Sequence, residues 1–301
     1  MSPNQTKNIV ITGGTDGMGK ETALHLLKEG ANVVVIGSTS AKGERFLAEA
    51  QQIGAKDRAT FIQADLSSIH ENQRVIEAIS ARFEALDVLM FFAVRYPHQY
   101  LETRDGLEMI FATYYLSRYI LSHGLRDLLE QSQAPVIFNV AAPGGKGEIH
   151  WDDLNSRENY DVMKVTFHGS RLNDLSGVAF VENAELTHIK YILYHPGFVA
   201  TEGVAQLFDN PAKRLIGKIA GRVVGLSPES GAAPILALLE NLPAARFSAY
   251  EREKPLPLAT EAFSKESAQR LYRLTQDMLR ARSDLFVCRR AGHDTRPASH
   301  Q

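Results

Sequence analysis

The first forty residues limit this chain more than any other stretch. An apolar β-branched run, "NIVIT", meets the glycine-rich turn Thr12-Gly13-Gly14-Thr15-Asp16-Gly17-Met18-Gly19, and that turn opens into "KETALHLLKEG", whose apolar residues recur at helical spacing and stop at Gly30. A β-branched run suits a pleated, buried strand, and apolar residues at i, i+3 and i+4 suit one face of a helix. The unit then repeats. "NVVVIG" precedes a helix around "KGERFLAEAQQIG", "ATFIQADLS" one through "QRVIEAISARF", and "LDVLMFFAV" the long "GLEMIFATYYLSRYILSHGLRDLLEQS". "PVIFNVAA" leads to a helix from about Phe167 to Asn183, and "KYILYHPGFV" closes the series. Strands that are apolar throughout and alternate with helices imply a parallel sheet covered on both faces. The expected fold is α/β, a single doubly wound Rossmann-like domain over residues 1–285 with a mainly parallel seven-stranded sheet.

Residues 201–226, "TEGVAQLFDNPAKRLIGKIAGRVVGL", break the rhythm with mixed apolar and basic residues. They read as a lid excursion over the active-site mouth, with a membrane-surface helix as the alternative. Residues 286–301 read as a basic, flexible tail. A hydrophobic content of 44% over 301 residues supports one sizeable core. The net charge of −2 gives no electrostatic case for nucleic acid as a partner. The single cysteine, Cys288, leaves no internal disulfide and agrees with a reducing setting. No apolar run approaches the roughly 20 residues of a membrane span, and the N-terminus enters a strand at once, so a cytoplasmic protein without a signal peptide is expected. No His or Cys residues stand at metal-ligand spacing.

Glycines between a strand and a helix let the backbone approach a pyrophosphate, which the helix N-terminus then faces with free N–H groups. The turn over Thr12, Gly13, Gly14, Thr15, Asp16, Gly17, Met18 and Gly19 is therefore a candidate dinucleotide site. An acid after the second strand would accept the ribose hydroxyls of NAD. The chain instead has Ser38, Thr39 and Ser40 with Lys42 close by, which favours NADP over NAD.

T-G-x-x-x-G-x-G in this setting resembles the short-chain dehydrogenase/reductases, from about residue 6 to 240, and "DDLN" (Asp152 to Asn155) resembles the retinol-dehydrogenase-like branch. Further matching pieces are Asp65-Leu66, "LDVLM", "HPGFVAT" and "SPESGA". The resemblance implies that Asp65 and Leu66 lie by the adenine, that Ala93 borders the cofactor, and that Pro196, Gly197 and Thr201 lie by the nicotinamide. It also implies that long helices pair subunits, so a homodimer is among the expectations.

The same resemblance exposes four departures. The family's Ser, Asn, Tyr and Lys positions fall on Ala142, Tyr114, Phe167 and Arg171. A rival register uses Tyr160-Asp161-Val162-Met163-Lys164, a literal Y-x-x-x-K; against it, Ser170 to Asp174, "SRLND", follows Phe167 as S-K-L-x-N follows the family tyrosine. Phe has no exchangeable proton, and Arg, with a pKa above about 12, is a fixed charge. Arg171 is left to reach the nicotinamide ribose or to clamp a substrate anion. Tyr114, His195, Arg95, Tyr96, His98, His150 and Tyr194 stand near the sheet's C-terminal edge as other polar candidates, while His168 is expected at an interface. Three function classes remain open. The first is a non-redox tailoring enzyme (cyclase, isomerase or dehydratase) on a bulky apolar or aromatic small molecule, with NADP(H) structural or absent. The second is an NADP-dependent oxidoreductase using Tyr114 or Tyr160/Lys164 as substitutes. The third is a non-catalytic cofactor-binding pseudoenzyme.

Overall fold

The computed structural model describes residues 6–145, 147–158, 160–183, 188–197 and 227–291, with side chains as far as Arg282. The segment 201–226, with Thr201, and the last ten residues lie outside them. Seven parallel strands are β1 (Asn8–Thr12), β2 (Asn32–Gly37), β3 (Ala59–Gln63), β4 (Val88–Phe91), β5 (Val136–Val140), β6 (Lys190–His195) and β7 (Phe247–Glu251). An eighth, β8 (Lys254–Pro255), runs antiparallel to β7, and the order is β3-β2-β1-β4-β5-β6-β7-β8.

Among the described residues the expected seven strands thus become eight, because "EREKPLPL" folds back as a hairpin instead of crossing the surface. Arg252 takes φ 54° at the turn, and Pro255 sits on an edge strand, where its missing N–H costs no ladder bond. Sequence periodicity assigns the strands through β6 only; "FSAYE" is short and half polar, and its pairing with β6 makes it a strand.

Alternate strand residues point to opposite faces. Ile9, Ile11, Val33, Val35, Met90 and Phe138 meet α1 (Gly17–Lys28), α2 (Ser40–Gln52) and α7 (Pro228–Glu240). Val10, Val34, Leu89, Phe91 and Ile137 meet α3 (Ile69–Ser80), α4 (Ser117–Gly124) and α6 (Val162–Glu182). The long helical pattern after β4 is not one helix. A buried π-helical stretch, Phe111–Leu116, leads into α4, which ends at Gly124 before α5 (Arg126–Glu130). π-Helical turns are rare and frequent at functional sites, and this one carries Tyr114. The last helix, α8 (Lys265–Ala291), packs on α6 and continues six residues into the segment expected as a tail. Among the described residues no helix is long and apolar enough to cross a membrane, and no group of three or more His, Cys, Asp or Glu is placed to hold a metal.

Candidate active site

The chain order reverses between β1 and β4, and a cleft of about 1190 Å³ opens there at the carboxyl ends of the strands, where open α/β sheets bind ligands. One half of it is built from the glycine turn. Gly13 adopts φ +70°, and a Cβ on it would lie 2.7 Å from the Ala93 backbone nitrogen. A Cβ on Gly19 would lie 2.5 Å from the Gly13 carbonyl. The turn is therefore a cradle that side chains would fill, which fits a pyrophosphate lying against bare backbone at the start of α1. Gly13, Thr15, Asp16, Gly17, Met18 and Gly19 line the cleft, whereas Thr12 and Gly14 pack beneath it, Gly14 against Val35.

Asp16 caps α1, accepting from the Gly17 N–H at 2.8 Å, and forms an ion pair with Lys42 at the rim. Partial burial works to raise the Asp16 pKa, but Lys42 and the Gly17 N–H hold it below the usual carboxylate range. Ser38, Thr39 and Lys42 line the same rim, while Ser40 is turned to Glu44 at 2.8 Å. Asp65 and Leu66 line the cleft, and Asp65 also closes its own turn by accepting from the N–H (3.1 Å) and hydroxyl (2.8 Å) of Ser67. Ala93, His195, Pro196 and Gly197 complete this side. Burial lowers the His195 pKa against the pull of Glu251, 3.8 Å away.

The other half brings together Ala142, Tyr114 and Phe167, with Arg95, Tyr96, His98 and Tyr160. Phe167 is 42% exposed, an aromatic ring standing open on the cleft wall. Arg171 does not line the cleft. Its guanidinium is buried in an ion pair with Asp174, three residues on, and donates to the Ala142 carbonyl at 3.2 Å. Asp174 also accepts from the Gly144 N–H at 3.1 Å, so the pair ties α6 to the loop after β5. Burial pushes the Asp174 carboxyl up, while Arg171 and the Gly144 N–H pull it back. The ribose contact or the substrate clamp expected of Arg171 would each require the guanidinium to leave Asp174.

Tyr160 lies just before α6, and its hydroxyl donates to the Pro97 carbonyl at 2.6 Å. Lys164 is exposed and outside the cleft. The two do not share a helix face, because α6 starts only at Val162. His168 needs correction: it is 1% exposed, not at a surface, because the loop from Glu148 to Leu154 folds over that side of α6. Its Nδ1 accepts from the His150 N–H at 3.3 Å, and the two imidazoles stack at 5.4 Å. Tyr194 is a core residue packed on Phe138. Arg118 and Ser170 are the site groups that sequence reasoning misses. Ser170 lines the cleft 3.1 Å from the Tyr114 hydroxyl, and Arg118 lies behind the Tyr114 ring.

Comparison with known proteins agrees with this geometry. The family described as short chain dehydrogenase matches residues 7–152. Mouse retinol dehydrogenase 13 is 30% identical over 285 residues, covering 88% of this chain and 81% of that protein. Human polyprenol dehydrogenase is 27% identical over 246 residues, 76% of this chain and 71% of that protein. The chain belongs to the short-chain dehydrogenase/reductase family. A Pseudomonas aeruginosa RhlG/NADP active-site complex superimposes with a TM-score of 0.62 at 19% identity, covering 83% of this chain and 97% of that one, and shares the fold.

Proposed function

We propose that the cleft holds a nicotinamide dinucleotide, NADP(H) before NAD(H), beside a bulky apolar or aromatic small molecule. On this reading the reaction does not run through the family's proton relay and is a non-redox rearrangement of the cyclase, isomerase or dehydratase type. One observation carries it: the phosphate cradle is intact, while the opposite wall presents the Ala142 methyl and the Phe167 ring, and Arg171 is bound to Asp174. A nicotinamide supplies a hydride donor or acceptor when bound. The chain's own groups at the family positions offer it no proton to move. A missing general acid costs roughly 10²- to 10⁴-fold, and groups that act as a unit fail together.

The test has two arms. NADPH is expected to raise the melting temperature and to be quenched or enhanced in fluorescence on binding. Apolar ketones added to that complex are expected to leave NADPH unoxidised. Robust oxidation would rescue the second reading, an NADP-dependent oxidoreductase with a substitute acid. The Tyr114 hydroxyl beside Ser170 at the cleft wall favours that alternative, and Tyr114→Phe would then abolish turnover. Tyr160 is the weaker substitute, since its hydroxyl is already donated to Pro97.

Cofactor preference is tested at the rim. Asp16→Asn keeps an oxygen to cap α1 but removes the charge that holds Lys42. A 2′-phosphate placed beside Lys42 would no longer compete with, or be repelled by, the Asp16 carboxylate. Exposed charge pairs are worth up to about 1 kcal/mol, so NADPH affinity should improve about fivefold relative to NADH. An unchanged affinity ratio by fluorescence titration would take Lys42 out of the phosphate subsite.

A further inference from the structure

We propose that the hydroxyls of Tyr114 and Ser170, backed by the buried guanidinium of Arg118, form an oxyanion site, and that the ligand presents there the oxygen of an enol or phenol attached to an apolar body. The inference rests on the reading of the cleft as a substrate site and names the chemistry it selects.

Arg118 is 2% exposed on α4, one helical turn after Tyr114. Its guanidinium donates to the Asn139 side-chain oxygen, to the Val140 carbonyl at 2.8 Å and to the Ala93 carbonyl at 3.1 Å. All three acceptors are neutral. Among the described residues no carboxylate pairs with it; the titratable groups that face it are the hydroxyls of Tyr96, Tyr114 and Tyr191. Its Nε is buried with no hydrogen-bond partner. A buried cation is ordinarily matched by an anion, because desolvation without pairing is costly. The positive potential of Arg118 is therefore unspent, and it is felt at the cleft through Tyr114, whose ring centre lies 4.5 Å from the guanidinium carbon.

The Tyr114 ring is fixed from two sides. Arg118 lies over one face, and a Cβ on Gly169 would come within 2.9 Å of the ring, so only a glycine on α6 admits it there. Preorganised donors that need no reorientation of their frame are what oxyanion sites require. The hydroxyls themselves form a short chain. Ser170 Oγ donates to the Thr166 carbonyl at 3.1 Å and stands 3.1 Å from the Tyr114 oxygen, so at rest the phenol donates to Ser170. When a ligand oxygen arrives, two rotations suffice: Tyr114 O–H turns to the ligand, and Ser170 O–H turns from Thr166 to the Tyr114 oxygen. Each bond in the chain then points toward the anion, and neighbouring hydrogen bonds strengthen one another. Burial pushes the Tyr114 phenol up, against the pull of Arg118 and Ser170, so it remains a donor near neutrality. Phe167 and Met163, each 42% exposed on α6, give the apolar body its wall.

The probe is 4-nitrophenol, whose anion is yellow, titrated against the full-length protein with and without NADP present. The expected result is binding as the phenolate, with ionisation of the bound probe moved about one pH unit down, a tenfold gain for the anion. Tyr114→Phe should weaken phenolate binding about tenfold or more, the usual loss for a hydrogen bond to a charge, and Ser170→Ala, which removes the neutral bond behind it, about two- to tenfold, while the melting shift given by NADP stays. Arg118→Gln should return the ionisation of bound probe to its free value. If it does not fold by melting, the two hydroxyl variants decide alone. A probe that does not bind, that binds as the neutral phenol, or that is indifferent to Tyr114→Phe and Ser170→Ala overturns the oxyanion site. Loss of the NADP melting shift in the unmodified protein would instead sink the dinucleotide reading, and the two failures are read separately in the same samples.

Discussion

Replacing Asp174 by Ala should destabilise the protein by about 3–5 kcal/mol, the usual cost of stranding one partner of a buried ion pair. Asp174 is fully buried and Arg171 nearly so. Arg171→Met should cost less, about 1–3 kcal/mol, although it deletes the larger side chain. The asymmetry comes from protonation. A carboxyl left alone in the interior takes up a proton, and burial already pushes Asp174 in that direction. A guanidinium left alone cannot shed its charge. One Arg171 nitrogen, Nη1, and one Asp174 oxygen, Oδ1, have no hydrogen-bond partner even now, so the site has nothing to offer a stranded charge. The double variant Arg171→Met with Asp174→Leu should regain most of the loss, since well-packed apolar replacements of buried pairs are often neutral or better. Urea unfolding of the two single variants and the double closes the cycle. If Arg171→Met proves the costlier single change, the pair is not what holds the loop after β5 to α6.

That pair marks a boundary in what the amino-acid order reveals. Arg171 and Asp174 stand at helical spacing, where opposite charges meet, so the partnership is legible once α6 is assigned, whereas the family resemblance points Arg171 toward the ribose. The first six strands were legible because each carries a short apolar, mostly β-branched or aromatic stretch between helical segments, and the glycine turn because no residue with a Cβ fits against Ala93 or over Gly13. β8 was not legible, because it depends on Arg252 entering a left-handed conformation that no local residue type announces. Arg118 was hidden more deeply. Nothing within "YYLSRYILS" sets it apart, and the groups that accept its hydrogen bonds are the Asn139 side chain and backbone carbonyls at the ends of β4 and β5, positions that only the folded sheet brings together. His168 likewise was buried by a loop that carries no periodicity.

Placing a Ser, a Tyr and a Lys where the resemblance puts them gives the second large effect, and the buried pair decides how it must be done. Ala142→Ser, Phe167→Tyr and Arg171→Lys together put a Ser, a Tyr and a Lys at the positions implied by the resemblance. That triple variant should nevertheless oxidise NADPH with apolar ketones no faster than the unmodified chain. The lysine introduced by Arg171→Lys would sit three residues from a buried Asp174 and be captured by it, as Arg171 is now, so its ammonium would not reach the tyrosine or a ribose. In S-K-L-x-N an uncharged Asn stands at the place of Asp174, so that pattern has no acid there to hold the lysine. Adding Asp174→Asn therefore releases the introduced ammonium, and ketone-dependent NADPH oxidation should rise by roughly 10²- to 10⁴-fold, the contribution of a positioned general acid. Initial rates for the triple and quadruple variants, both first shown to be folded and to bind NADPH, separate the possibilities. Activity raised equally in the two would mean that Asp174 exerts no hold on the side chain at position 171. An inactive quadruple variant that binds NADPH would mean that Phe167 does not stand where the family tyrosine does. A gain confined to the quadruple would mean that this chain lost its proton relay in two coupled steps, one removing the hydroxyls and one redirecting the cation into the fold.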